Sequence, residues 1–200
     1  TLYRRVRGVT FTLVGLGTLC FLYGLYVEPF WPEVTTSQVQ VSKLRGASRP
    51  IRIVHLTDFH SDPVVRLEEE LPDLVRGLSP DVILYTGDSF NSREALPVFR
   101  SVMQELATIA PTFAVRGNWD VWYWGDIPIF EETGVRELDG MASRIDVAGS
   151  ELWIAGAAVD NVAGLHAALA SIPEERPIVV LHHFPERVAI ASEYGADLVV

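Results

Sequence analysis

The chain has 200 residues, of which 48% are hydrophobic and 21% charged, and it carries a formal net charge of −10. That length suits one domain plus an appendage, and that composition excludes wholesale disorder. The acidic balance excludes a long nucleic-acid partner, which needs a basic face, but not a phosphorylated substrate, because bound metal ions reverse the local field. The single cysteine, Cys20, allows neither an internal disulfide nor a cysteine-based zinc site.

Residues 1–8 form a basic N-terminus with Arg4, Arg5 and Arg7. Residues 9–27 contain no charged side chain. Helix of that length spans roughly 28 Å, close to the hydrocarbon core of a bilayer. The next residues, Glu28 to Glu33, include no Lys or Arg. A single-pass transmembrane anchor is expected, and the positive-inside rule puts the N-terminus in the cytoplasm and the rest on the extracytoplasmic side. Tyr26, Phe30 and Trp31 suit the interfacial belt. A cleaved signal peptide or a buried helix would explain the same stretch, and Arg4-Arg5 also fits a twin-arginine export signal.

Residues 28–50 read as a linker with a short strand, because Val39 and Val41 alternate with polar neighbours before Gly46 to Pro50 break the pattern. From 51 to 200, apolar strands alternate with helical stretches. Strands are predicted over 51–56, 81–86, 112–115 and 178–181, with two or three short ones between 135 and 154. Helices are predicted over 67–78, 96–109, 162–169 and 185–194. The chain stops in a further strand at 197–200. Such alternation specifies an α/β layered sheet flanked by helices.

In open α/β sheets, ligand sites form at the C-terminal ends of strands. Asp58-Phe59-His60 follows the first strand, Gly87-Asp88-Ser89-Phe90-Asn91 the second, Gly117-Asn118-Trp119-Asp120 the third, and His182-His183-Phe184-Pro185 a later one. Each group has an ordinary reading as a turn, a cap or a core histidine. Together, in one structural position, they collect hard and borderline ligands suited to Mn²⁺, Fe, Zn²⁺ or Mg²⁺. Gly87 and Gly117 permit tight backbone turns beside them. His55, within its strand, and His166, on a helix, read as structural, with His55 buried.

These blocks, in this order, resemble the signature blocks of the calcineurin-like metallophosphoesterases, and the resemblance runs from Ile51 to the end of the chain. With the apolar N-terminal helix it looks closest to a small bacterial membrane-associated branch, some of whose members hydrolyse UDP-2,3-diacylglucosamine in lipid A synthesis. The resemblance implies a metallophosphoesterase-like sheet sandwich holding two divalent metal ions. It implies that Asp58 and His60 bind the first ion, that Asp88 bridges both, and that Asn118 and His183 bind the second. His183 is preferred to His182 because the family places its ligand two residues before a proline. The resemblance also implies a Gly-His-x-His block after a strand like 197–200, so the chain is expected to continue beyond Val200.

By the same resemblance, a bridging water is the nucleophile of phosphoester or phosphoanhydride hydrolysis. Asp88, Asn118 and Trp119 are then the candidates at the reacting centre. Many relatives carry histidine at the position of Trp119. An indole N–H donates a hydrogen bond but does not titrate near neutral pH, so Trp119 is no general acid. A leaving group that needs little protonation is expected, such as the phosphate of a pyrophosphate. Asn91, Trp119, Trp122 and Trp124 are candidate contacts for a phosphorylated small-molecule or lipid-linked substrate, with Tyr123 in the same aromatic cluster. The rivals are a non-catalytic scaffold with a degenerate metal site and an exported nuclease or nucleotidase.

Overall fold

The computed structural model describes residues 2–44 and 46–200. They fall into two compact units that meet between Gln38 and Val39.

An apolar run with nothing to pair with becomes a helix, because only a helix satisfies every backbone group within itself. The first unit is built on α1 (Leu2–Tyr26), which starts at Leu2 and so includes the basic residues ahead of the apolar run. None of its residues is buried, and it is long and apolar enough to cross a membrane. Its three threonines turn their hydroxyls back onto the helix: Thr10 donates to the Val6 carbonyl, Thr12 to Gly8 and Thr18 to Val14, at 3.0, 3.1 and 2.9 Å. Each polar group is thereby matched without water.

The short strand expected at Val39–Val41 does not form. That stretch has no ladder partner among the described residues and runs into a 3₁₀ turn at Ser42–Leu44. Lys43 and Ser48 secure the segment to the rest of the second unit. Lys43 Nζ donates to the Gly195 carbonyl at 2.6 Å, and the Ser48 amide donates to the Ala148 carbonyl at 2.8 Å.

The second unit has two four-stranded sheets. The first is wholly parallel, in the order β1 (Ile53–Leu56), β2 (Val82–Tyr85), β3 (Thr112–Ala114), β4 (Arg136–Glu137). The second pairs β5 (Met141–Val147) with β6 (Ser150–Gly156) antiparallel, then continues in parallel through β7 (Ile178–Leu181) and β8 (Leu198–Val199). The β5–β6 hairpin turns on Ala148 and Gly149, both at positive φ (50° and 76°), as a two-residue turn that follows the sheet twist requires.

Side-chain alternation assigns each strand face. Val82 and Leu84 of β2 join Leu152, Ile154, Val179 and Leu181 of the second sheet in one cluster between the sheets. Ile83 and Tyr85 point the other way, against α2 (Leu71–Leu78) and α3 (Leu96–Ile109). Ile178 and Val180 of β7 face α5 (Val162–Ala170). The result is helix, sheet, sheet, helix. It explains why Val-Ile-Leu-Tyr and Ile-Val-Val-Leu are apolar throughout: both faces of these strands are covered.

The helix predicted from 67 begins only at Leu71. Pro72 lacks an N–H and has a fixed φ, so it fits the first turn and not an interior one. The helix predicted over 185–194 resolves into a 3₁₀ turn, Pro185–Arg187, followed by α6 (Val188–Glu193).

Phe99 of α3 is fully buried among the rings of Phe59, Tyr85, Phe90 and Phe130, with centroids 6.1, 5.6, 6.0 and 5.9 Å away. Phe59 stands between Asp58 and His60, so this aromatic cluster supports the loop that carries them. Phe99→Ala should lower stability by about 3–5 kcal/mol, read as a shift of the denaturant midpoint.

Candidate metal centre

The parallel ladder does not stop where β1 and β2 end. Asp58 N donates to the Gly87 carbonyl, His60 N to Asp88 and Ser61 N to Ser89, at 2.9, 3.0 and 3.0 Å, and Asn91 N returns a bond to Ser61 at 3.0 Å. This zipper puts Asp58 and His60, two residues apart, beside Asp88. Ligand atoms of all three lie within 4.8 Å of one another.

All three hold left-handed backbones, with φ of 54° at Asp58, 41° at His60 and 60° at Asp88. Such a conformation in a non-glycine residue costs roughly 1–3 kcal/mol and persists only where the surroundings over-determine it. Gly87, at φ 100°, and Gly117 supply the room: a Cβ at either would collide, at Gly87 with the Gly117 backbone and at Gly117 with the Asp88 carboxylate.

The over-determining group is Asp120, at the third position of α4 (Asn118–Trp124). It is fully buried. Its carboxylate accepts from the N–H of Asp88 (2.9 Å), Ser89 (2.9 Å) and Gly117 (3.0 Å). Burial pushes its pKa up, and the three N–H donors pull it back. In the sequence motif Asp120 carries no assigned role. The signal that marks it is an acidic residue three positions after the residue that caps a helix, here Gly117, since such a side chain reaches back to the helix entrance.

Two hydrogen bonds settle what the imidazoles offer. His183 Nδ1 lies 2.8 Å from the Thr86 carbonyl, which only accepts, so Nδ1 carries a proton and the neutral ring is the tautomer that offers its Nε2 lone pair. Asn91 Nδ2 donates to the His60 carbonyl (2.8 Å) and to Asp62 Oδ1 (3.0 Å). Its Oδ1 must therefore face His60 Nδ1, 3.0 Å away, so the neutral His60 ring is likewise the tautomer with its lone pair on Nε2. Both Nε2 atoms point at one oxygen, Asp88 Oδ2, from 3.5 Å (His60) and 3.6 Å (His183). Ligand atoms about 2.1 Å from an ion at a near-tetrahedral angle lie about 3.4 Å apart. The donor set therefore fits a divalent cation between each imidazole and Asp88. The other oxygen, Asp88 Oδ1, is turned away by the Trp119 amide at 2.8 Å.

Of the remaining candidates, Asn118 opens α4 half-buried, and its amide makes no hydrogen bond to the described residues. Trp119 meets the His60 ring edge-on, centroids 5.5 Å apart, and its buried Nε1 has no hydrogen-bond partner among the described residues. Trp122 is 67% exposed and Tyr123 54% exposed. Trp124 has a different task from the substrate contact expected of it. Its Nε1 donates to the Phe90 carbonyl at 2.9 Å and its ring stacks on Phe90, because the inner face of so short a helix must pack. Asn91 likewise spends its amide on His60 and Asp62 rather than on open space. His182 is buried, its Nδ1 held between the Phe184 N–H at 3.0 Å and the Phe184 carbonyl at 3.1 Å, and burial lowers its pKa. His55, expected to be buried, lies on the edge strand β1 with its ring exposed, and only its Nε2 is tied, 2.8 Å from Thr86 Oγ1. Asn161, whose side chain accepts from Gly164 N at 2.9 Å, caps α5.

A family model described as calcineurin-like phosphoesterase matches residues 51–200. A transmembrane protein with metallophosphoesterase domain from Danio rerio is 25% identical over 88% of this chain and 45% of its own length. The phosphodiesterase YaeI of Escherichia coli is 35% identical over 50% of this chain and 38% of its own. The chain thus spans less than half the length of either relative. The crystal structure of TT1561 from Thermus thermophilus superposes with a TM-score of 0.53 at 12% identity, covering 75% of this chain and 80% of that one. It shares the fold.

Asp120→Asn puts an NH₂ group where an oxygen met backbone donors. It should lower stability by roughly 2–3 kcal/mol and weaken divalent-metal binding, checked by unfolding and by metal titration of the same sample.

Proposed function

The chain belongs to the calcineurin-like phosphoesterase family, and we propose that it is a membrane-anchored hydrolase of phosphoester or phosphoanhydride bonds that works with two divalent ions. The observation that carries this reading is Asp88 Oδ2, one carboxylate oxygen approached by the Nε2 atoms of two imidazoles whose Nδ1 atoms are already hydrogen-bonded elsewhere. Asp58 and His60 would hold one ion, His183 and Asn118 the other, with Asp88 common to both. Divalent ions there supply Lewis acidity toward phosphoryl oxygens and lower the pKa of a bound water.

The chain's own groups orient and hold. Trp119 stands beside His60 with a buried N–H that lacks an acceptor among the described residues, and a turn of its ring toward the centre would let that N–H meet a phosphoryl or leaving-group oxygen. That N–H stabilises developing charge but transfers no proton. Leaving groups already stable as anions are favoured, such as the phosphate of a pyrophosphate or an aryl oxide. The exposed Trp122 and Tyr123 support a lipid-linked substrate, with a UDP-2,3-diacylglucosamine-type pyrophosphate as the narrower form of that reading. Helix α1 supports the anchor, as does the printed name of the Danio rerio relative. Arg4, Arg5 and Arg7 support an extracytoplasmic catalytic unit.

Two measurements test this. The full-length protein in detergent, loaded in turn with Mn²⁺, Zn²⁺, Fe²⁺ and Mg²⁺, should bind two ions. It should cleave bis-p-nitrophenyl phosphate and pyrophosphate-linked substrates faster than alkyl phosphoesters. Asp88→Ala should lose more than the roughly 100-fold that a supporting residue contributes. Preference for alkyl esters would remove the role given to Trp119, and no turnover with any ion would leave a scaffold. Deleting residues 2–27 should move the protein from carbonate-washed membranes to the soluble fraction, and recovery of the intact chain in the soluble fraction would end the anchor reading.

A further inference from the structure

Behind His60 stands a continuous polar chain that reaches the surface. His60 Nδ1 donates to Asn91 Oδ1 (3.0 Å), Asn91 Nδ2 donates to Asp62 Oδ1 (3.0 Å), and Arg66 Nη2 donates to Asp62 Oδ2 (2.6 Å). The chain closes on itself, because the His60 carbonyl accepts from both Asn91 Nδ2 (2.8 Å) and Arg66 Nη2 (3.3 Å). Arg66 is itself set by its own loop, its N–H donating to Glu68 Oε2 at 2.8 Å.

We propose that Asn91, Asp62 and Arg66 form a relay of positioning residues that fixes the tautomer, orientation and donor strength of His60 toward a divalent cation. The proposal rests on reading His60, Asp58 and Asp88 as metal ligands. Every link has one possible polarity. Arg66 only donates and an ionised Asp62 only accepts, so Asn91 must present its NH₂ to Asp62 and its carbonyl to His60. The charge on Asp62 polarises the amide, and the more basic Oδ1 draws on the Nδ1 proton. The lone pair on Nε2 becomes a better donor, the effect that outer partners have on metal-bound histidines. The two bonds to the His60 carbonyl hold that residue at its left-handed φ of 41°, the conformation that turns the ring toward Asp88.

Fold stability does not account for the arrangement. The Asp62 and Arg66 side chains are 41% and 34% exposed, and ion pairs that open to water contribute little to stability. The contrast with His183 makes the relay specific. Its Nδ1 partner is the Thr86 backbone carbonyl, which no side-chain substitution removes. The Nδ1 partner of His60 is therefore open to change by side-chain substitution, and that of His183 is not.

The test is titration of the full-length, metal-stripped protein with Mn²⁺ alone, followed by electron paramagnetic resonance and calorimetry. Asn91→Leu should weaken one binding step about 10–100-fold and leave the other within about threefold. Arg66→Met should shift the same step in the same direction. The exchanged pair Asp62→Asn with Asn91→Asp keeps an acceptor for Nδ1 and a donor between the two positions, and should recover most of the loss. Metal affinity unchanged in Asn91→Leu and Arg66→Met would overturn the relay. So would unchanged affinity with a raised KM, which would make these residues substrate contacts. Because Mn²⁺ binding is read without substrate, a failure of the proposed hydrolysis leaves this result standing, and the reverse also holds.

Discussion

Three backbone N–H groups, from Gly117, Asp88 and Ser89, converge on the buried carboxylate of Asp120, and the metal-ligand geometry depends on that convergence. Taking a carboxylate out of water costs several kcal/mol. Three hydrogen bonds to a charged acceptor return about 1.5–3 kcal/mol each. Burial pushes the Asp120 pKa up and the three N–H donors oppose it. What the arrangement secures is position. It joins the loop after β2 to the loop after β3, and through the ladder from Asp58 to Ser61 it fixes the loop after β1 as well.

Once these loops are joined, the chain can hold conformations it would otherwise leave. Asp58, His60 and Asp88 are all left-handed, and a Cβ is blocked at Gly87 by the Gly117 backbone and at Gly117 by Asp88. The strain aims the ligand atoms inward, and the neighbouring hydrogen bonds decide which atoms they present. Trp119 N engages one oxygen of Asp88, which leaves the other between two imidazoles. Carbonyl oxygens accept from the Nδ1 atoms of His60 and His183, which leaves Nε2 as the atom that each ring turns toward Asp88. The arrangement of the candidate metal centre is thus set by the hydrogen-bond network of the protein itself.

Helix α4 compresses several tasks into seven residues. Asp120 and Trp124 face inward and tie it to the loop after β2. Trp119 faces the centre and rests on His60. Trp122 and Tyr123 face out. A run that reads as one aromatic cluster is divided by helical geometry into core, site and surface, since residues one apart on a helix point about 100° from each other.

The ligand set was legible in the sequence because each candidate follows a strand of unmistakable apolarity. A parallel sheet brings such strand ends together whatever the loops do. The apolar α1, the α/β alternation, and the blocks carrying Asp58, His60, Asp88, Asn118 and His183 were all readable on that ground. Other features depended on partners distant in sequence. Asp62 and Asn91 are 29 residues apart and the Asp120 carboxylate meets Asp88 N from 32 away, so no local pattern marks either contact. Trp124 and Asn91 looked like substrate contacts until packing gave their polar atoms other partners. Val39 and Val41 alternate like a strand, but a strand needs a neighbour to accept its hydrogen bonds, and none lies alongside among the described residues. The sequence by itself determined which polar side chains stand at the ends of the apolar strands. Only the tertiary structure decided which atom of each is free to act, because that depends on the hydrogen bonds that distant segments make.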